Sequence, residues 1–116
     1  MPFDRRAIEA ALQASWSMET ARQWTAENLA IGQCNVTAIL IRDLFGGEIL
    51  KTPLPEDDHY YNRIDGLRFD FTASQFKDPI GYFDFPSNRL AAAQRATQQE
   101  LAALRTGFKC NFGRSR

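Results

Sequence analysis

An Asp-Gly pair, Asp65-Gly66, stands between two short segments with alternating apolar and polar side chains, 60–64 and 67–72. In that setting an Asp-Gly pair is the strongest short-range signal for a β-hairpin, because a tight two-residue turn needs positive φ values. The pair predicts two antiparallel strands in which Ile64 faces Leu67. Any fold of this chain therefore has to contain antiparallel sheet.

Apolar side chains recur at helical spacing on both sides of this hairpin. We expect helices after the cap Asp4, from Ser17 toward Trp24, from Cys34 to the glycines Gly46-Gly47, and over about 88–105. A short strand is expected at 48–52, where β-branched and apolar residues precede a proline. The predicted fold is α+β, a three-stranded antiparallel sheet packed with N-terminal helices, a Cys-bearing helix and a C-terminal helix. The length of 116 residues fits a single domain spanning 1–116.

The charge balance and the composition restrict the classes of binding partner that the sequence predicts. Lys plus Arg and Asp plus Glu are 14 each, and no basic stripe interleaves with aromatics, so no nucleic acid is expected. The chain has neither the roughly 20-residue apolar run of a membrane span nor an apolar signal segment, so we expect a cytoplasmic protein with no membrane contact. Two cysteines, Cys34 and Cys110, and a single histidine are too few for a structural zinc site, and no metal or cofactor is expected. The oligomeric state is unknown from sequence.

Cys34 follows Gly32-Gln33 at the expected first turn of a helix. A thiol there feels the positive end of the helix dipole and nearby free N–H groups, which favour the nucleophilic thiolate. The same N–H groups can stabilise an oxyanion when an acyl intermediate forms. Cys34 is therefore the candidate nucleophile.

His59, the only histidine, and Asp70 are expected to lie on one face of the hairpin as diagonal neighbours. Imidazole has a suitable pKa to take the thiol proton, and Asp70 would orient the ring. This predicts a catalytic set of Cys34, His59 and Asp70. The helix of Cys34 is expected to cover that mixed face, while the apolar face with Tyr60 and Ile64 packs on the terminal helices.

Each candidate also has a simpler interpretation. Cys34 fits an inert core cysteine. Asp70 and Thr72 fit a turn device, since both side chains bond nearby backbone. Gln33 fits either an oxyanion donor or a loop hydrogen bond. Cys110 is expected to be a bystander.

Two family resemblances follow from these residues. Gly32 to Ala38 reads Gly-Gln-Cys-Asn-Val-Thr-Ala, which resembles the stretch around the transglutaminase nucleophile, and 59–72 resembles the His and Asp strands of that superfamily. More closely, the chain resembles the small bacterial YunG-like family across 15–24, 32–38, 45–50 and 59–76. The resemblance implies a papain- or transglutaminase-like core with a thiol site, and an indole N–H from Trp24 near that site, although core packing is the alternative for Trp24. The chain lacks the length for the calcium-binding and barrel domains of classical transglutaminases, so cross-linking is not implied.

These observations predict a thiol hydrolase or acyltransferase that attacks an amide, ester or thioester carbonyl, with a protein or peptide as substrate. Cys34 would be the nucleophile, His59 the base and Asp70 its orienting group, with Gln33 and Trp24 as oxyanion or substrate contacts. The alternative is a non-catalytic protein- or ligand-binding module that keeps the transglutaminase-like fold. The natural substrate is not readable from the sequence.

Overall fold

The hairpin at Asp65-Gly66 is present in the computed structural model, which describes residues 2–112. Strands β2 (Asp58–Ile64) and β3 (Leu67–Phe69) pair antiparallel, with Ile64 opposite Leu67. Both turn residues have positive φ, 52° and 78°, as a tight two-residue turn requires. The predicted register is confirmed.

The sheet extends beyond the hairpin. Strand β1 (Glu48–Pro53) pairs with β2, and β4 (Phe85–Pro86) pairs with the other side of β1, which gives the order β3-β2-β1-β4. Within residues 2–112 the sheet is therefore four-stranded and antiparallel, and the prediction of three strands was wrong by one. The missed strand is two residues long and contains a proline, which is tolerated at a sheet edge because it donates no hydrogen bond.

The described part of the chain contains four α-helices. They are α1 (Arg5–Ser15), α2 (Cys34–Phe45), α3 (Arg89–Ala92) and α4 (Gln98–Phe112). The predicted starts of α1 and α2 are confirmed, since the Asp4 carboxylate accepts the Ala7 N–H at 3.2 Å and α2 begins at Cys34. The α+β class is likewise confirmed.

Two helix predictions were wrong. The segment from Ser17 toward Trp24 forms turns, because the Thr20 side chain bonds the Ser17 backbone and competes with helical hydrogen bonds. The single helix over 88–105 is divided in two, because Thr97 and Glu100 form a reciprocal capping box that starts α4 anew.

Helix α2 lies between the other helices and the sheet. On one side its apolar residues join a core with α1 and α4 that includes Ile8, Leu12, Leu40, Leu104 and Phe108. On the other side Ile39 packs with Ile49 and Tyr60 of the sheet. No helix within residues 2–112 is long and apolar enough to cross a bilayer.

The sheet face that α2 contacts differs from the expectation. Asn62 Nδ2 donates to the Ala38 carbonyl at 3.0 Å, and Tyr60 packs on Ala38 and Ile39, so the helix body covers the face of Tyr60 and Asn62. His59 alternates with these residues along β2 and points to the other face. Cys34 is nevertheless the first residue of α2, and His59 is the second residue of β2. Because these two element starts lie at the same end of the sheet, the two residues meet there.

Candidate functional site

His59 and Asp70 form the best-defined pair at this end of the sheet. His59 Nε2 lies 2.7 Å from Asp70 Oδ2, and the two side chains are only 2% and 4% exposed. Asp70 follows directly after β3, and the hairpin register therefore brings the carboxylate to the strand of His59. A buried carboxylate of this kind fixes the ring orientation and the identity of the nitrogen that carries a proton.

Strand β3 ends at Phe69, although the sequence predicted strand through Thr72. The cause is a local turn in which Asp70 Oδ1 accepts the Thr72 N–H at 3.2 Å and the Thr72 hydroxyl at 3.3 Å. Asp70 therefore belongs to a turn and also contacts His59, each through a different oxygen.

Cys34 is a neighbour of His59, and both residues line one cavity. Burial opposes protonation of this imidazole, but hydrogen bonds and charge from Asp70 and Cys34 outweigh it and raise the pKa of His59 to about 9. Because Nε2 faces Asp70, Nδ1 is the ring nitrogen left for the sulfur.

The half-buried Cys34 is the first residue of α2, and no side chain caps this helix end. The first backbone N–H groups of a helix have no partner within the helix, so the start of α2 is a hydrogen-bond donor site. Asn35 also bonds the sulfur: its Nδ2 donates to the Ala92 carbonyl at 2.8 Å, and its Oδ1 accepts a hydrogen bond from the Cys34 thiol at 3.2 Å.

A cavity of about 980 Å³ opens beside this pair. Cys34, Asn35, His59 and Tyr60 line its inner part. The loop 54–57 between β1 and β2 also lines the cavity, as do Gln94, Arg95 and Glu100, and Arg95 forms an ion pair with Asp57 of the loop at 3.1 Å. A nucleophile at the base of an open cavity is accessible to a substrate larger than water.

Two other predicted site residues do not line that cavity. The Gln33 side chain is fully buried, accepts a hydrogen bond from the Thr20 hydroxyl at 2.7 Å and donates to the Ser17 carbonyl at 3.4 Å. Trp24 is half-buried against the helical core, with its indole N–H buried and without a hydrogen-bond partner among the described residues. Their oxyanion roles stay predictions.

The structure adds Tyr82 to the residues around the site. Its hydroxyl donates to Asp70 Oδ2 at 2.6 Å. Phe76 also contacts His59, edge-on at 4.8 Å between ring centroids. Both lie in a segment without strand or helix periodicity, so no spacing argument could place them against a strand residue.

Cys110, the second cysteine, is exposed on α4 and does not line the cavity. Among residues 2–112, no three His, Cys, Asp or Glu side chains converge in a way that could hold a metal ion.

Comparison with known proteins identifies a family whose model matches this chain. A family model described as YunG protein matches residues 4–113. The protein named Uncharacterized protein YunG of Bacillus subtilis strain 168 is 42% identical over 101 residues, which are 87% of this chain and 88% of that protein. No solved structure matches the chain.

Proposed function

The chain belongs to the YunG family, and we propose that it is a thiol hydrolase or acyltransferase with a papain- or transglutaminase-like core. One observation carries the proposal. His59 Nε2 lies 2.7 Å from the Asp70 carboxylate, and Cys34 interacts with the same ring at the uncapped start of α2. A nucleophile beside a base that a third group orients is the arrangement that covalent acyl chemistry requires.

In this proposal the first half-reaction forms a thioester. The Cys34 thiolate attacks the carbonyl carbon of an amide, ester or thioester, and the carbonyl oxygen becomes an oxyanion. Backbone N–H groups at the start of α2, including that of Cys34, stabilise this oxyanion. When the intermediate collapses, the leaving group departs with the proton of the His59 imidazolium, and the acyl group remains on sulfur.

The second half-reaction releases the acyl group and regenerates the free enzyme. Neutral His59 takes a proton from water or from an amine as either attacks the thioester carbon, and the Cys34 thiolate leaves. Water gives hydrolysis and an amine gives acyl transfer. Throughout the cycle the Asp70 carboxylate holds the ring and stabilises its charged form.

The cavity supports a protein or peptide substrate. It is open, and its lining includes the four-residue loop 54–57 together with Gln94, Arg95 and Glu100. Polar and charged side chains dominate this part of the lining, including Glu56 and the ion pair of Asp57 with Arg95. A site of this kind admits a side chain or an extended peptide more readily than a small apolar molecule.

The test compares the two cysteines of the folded protein. At about pH 6, iodoacetamide should label Cys34 at least tenfold faster than Cys110, because an ordinary thiol is almost fully protonated there. Peptide mapping by mass spectrometry identifies the labelled residue, and the exposed Cys110 serves as the internal control. Equal, slow labelling of both would reject a thiol enzyme and leave the non-catalytic binding module.

A second experiment tests the chemistry. The protein is incubated with p-nitrophenyl acetate, and intact mass spectrometry should detect one acetyl group, which peptide mapping places on Cys34. C34S should lose this adduct, whereas C110S should keep it. An acetyl adduct that persists in C34S would contradict the proposed nucleophile.

A further inference from the structure

The Tyr82 hydroxyl and the His59 ring share one oxygen of Asp70. Tyr82 donates to Oδ2 at 2.6 Å, and His59 Nε2 lies 2.7 Å from the same atom. Because the Asp70 side chain is almost completely buried, protein groups rather than solvent determine how its negative charge is distributed. Each additional donor to Oδ2 therefore changes how strongly that oxygen attracts the imidazolium.

Other side chains hold Tyr82 in place. The Arg68 guanidinium lies 4.3 Å from the centroid of the Tyr82 ring, and the Tyr61 ring packs against it edge-on at 5.0 Å. Arg68 is itself bonded to Asp84 by two hydrogen bonds of 2.8 and 2.5 Å. Burial and then the hydrogen bond to Asp70 raise the pKa of Tyr82, so its hydroxyl stays protonated and donates at neutral pH.

We propose that Tyr82 is a positioning residue of the proposed thiol site, where its hydroxyl limits how strongly Asp70 holds the His59 imidazolium. This inference rests on the proposed function. The titratable groups that face the ring are Asp70 after β3, Cys34 on α2 and Tyr61 on β2. Tyr82 acts on the ring only through Asp70.

The consequence for the reaction concerns the return of the proton. An imidazolium whose pKa is about 9 releases its proton slowly to a leaving group. A donor on Asp70 Oδ2 withdraws charge from the carboxylate, lowers the basicity of the ring and makes proton transfer to the leaving group easier. Tyr82 therefore adjusts the basicity of His59, which has to stabilise the Cys34 thiolate in one step and protonate the leaving group in another.

The test is Y82F, which removes one oxygen and keeps the ring between Arg68 and Tyr61. His59 is the only histidine, so an NMR pH titration reads its pKa from a single imidazole. The pKa of His59 should rise by about half to one unit. In a plot of the Cys34 alkylation rate against pH, the change at alkaline pH should shift to higher pH as well. A role limited to packing would leave both unchanged.

The matched control is Y61F. It removes a hydroxyl that bonds Thr52 and Asp84 on the same sheet face without touching Asp70, and the His59 shift should be smaller than in Y82F. An unchanged or lower His59 pKa in folded Y82F would overturn the inference. If Y82F does not fold, the wild-type protein provides the test. We expect its NMR spectrum to show a slowly exchanging Tyr82 hydroxyl proton with a nuclear Overhauser effect to the His59 ring. The absence of this signal would count against the inference.

The two proposals fail separately. The His59 titration needs no reaction at Cys34, so it reports on Tyr82 whatever the labelling experiment shows. Conversely, a wild-type Cys34 that labels no faster than Cys110 would reject the thiol enzyme without changing the titration.

Discussion

Asp70 accepts the backbone N–H of Thr72 through Oδ1 at 3.2 Å, which leaves Oδ2 directed at the His59 ring. The turn thus fixes the rotation of the carboxylate, so that the group does not need to be ordered when a substrate binds. The sequence offered two interpretations of Asp70, a triad member and a turn device. In the structure the same side chain makes both sets of contacts.

Replacing the carboxylate by an amide tests this arrangement. D70N keeps an oxygen for the Thr72 turn but removes the charge that faces His59. The pKa of His59 should fall by about 1–2 units, because an adjacent opposite charge shifts a pKa by that order. Labelling of Cys34 at about pH 6 should slow roughly tenfold. NMR titration and timed alkylation measure the two effects.

D84N is the matched control for this change. Asp84 is a carboxylate in the same region, but it bonds Tyr61 and Arg68 rather than His59. Its removal should leave the His59 pKa within a few tenths of a unit. If D70N and D84N gave the same titration curve, the hydrogen bond between His59 and Asp70 would not govern the ring.

The hairpin register and the pairing of His59 with Asp70 were accessible from sequence because both depend on local rules. Asp65-Gly66 fixed the turn type, and the period of two along the strands then related His59 to Asp70. The sheet face covered by α2 was not accessible. The apolar face with Tyr60 was recognised in sequence, but nothing local in the strand shows which helix covers it, and the hydrogen bond from the Asn62 amide to the Ala38 carbonyl of α2 joins distant segments.

Other features depended on contacts between distant segments. Tyr82 meets Asp70 from an irregular segment, and no periodicity predicts that meeting. Gly107 lies inside α4, where a Cβ would come 3.1 Å from the Cβ of Ser15 in α1. The glycine permits close helix packing, a reason that only the folded structure supplies.

Stability should depend on pH through His59. Its pKa is about 9 in the folded protein and close to 6.5 in an unfolded chain, so folding favours the protonated ring. This contribution is fully present below about pH 6.5 and is lost as the pH rises through about 9, with an upper limit of about 3 kcal/mol. Urea unfolding at a series of pH values measures the loss. In H59Q the alkaline decline should be shallower, and a parallel decline would contradict the assignment.

Gln33 and Thr20 should be energetically coupled. T20V removes the hydroxyl that donates to Gln33 Oε1 and leaves a buried acceptor without its partner, at a cost of about 1–3 kcal/mol. A double-mutant cycle of T20V and Q33M should give a coupling energy of about 1 kcal/mol in the free energy of unfolding. The control pair, T25V with Q33M, lacks a direct contact in the structure and should be additive.

The same variants separate the two interpretations of Gln33. If its side chain only ties the 17–20 turn to the start of α2, acetylation of Cys34 by p-nitrophenyl acetate should proceed at a similar rate in folded Q33M. A direct oxyanion contact would instead slow acetylation by a factor of about 100 or more. The measurement is the acetylation rate at a temperature where both proteins remain folded.

Gly47, which connects α2 to β1, should be the most sensitive glycine of the turns. Its φ is +79°, and an added Cβ would approach the Arg63 carbonyl oxygen to 2.4 Å, which a backbone atom cannot easily avoid. G47A should therefore lose about 2–4 kcal/mol of unfolding free energy, from strain and overpacking together. Gly66 has a similar φ of +78° with open space around it, so G66A should lose only about 1–2 kcal/mol. Equal losses in urea unfolding would show that the close approach of Gly47 to β2 does not limit stability.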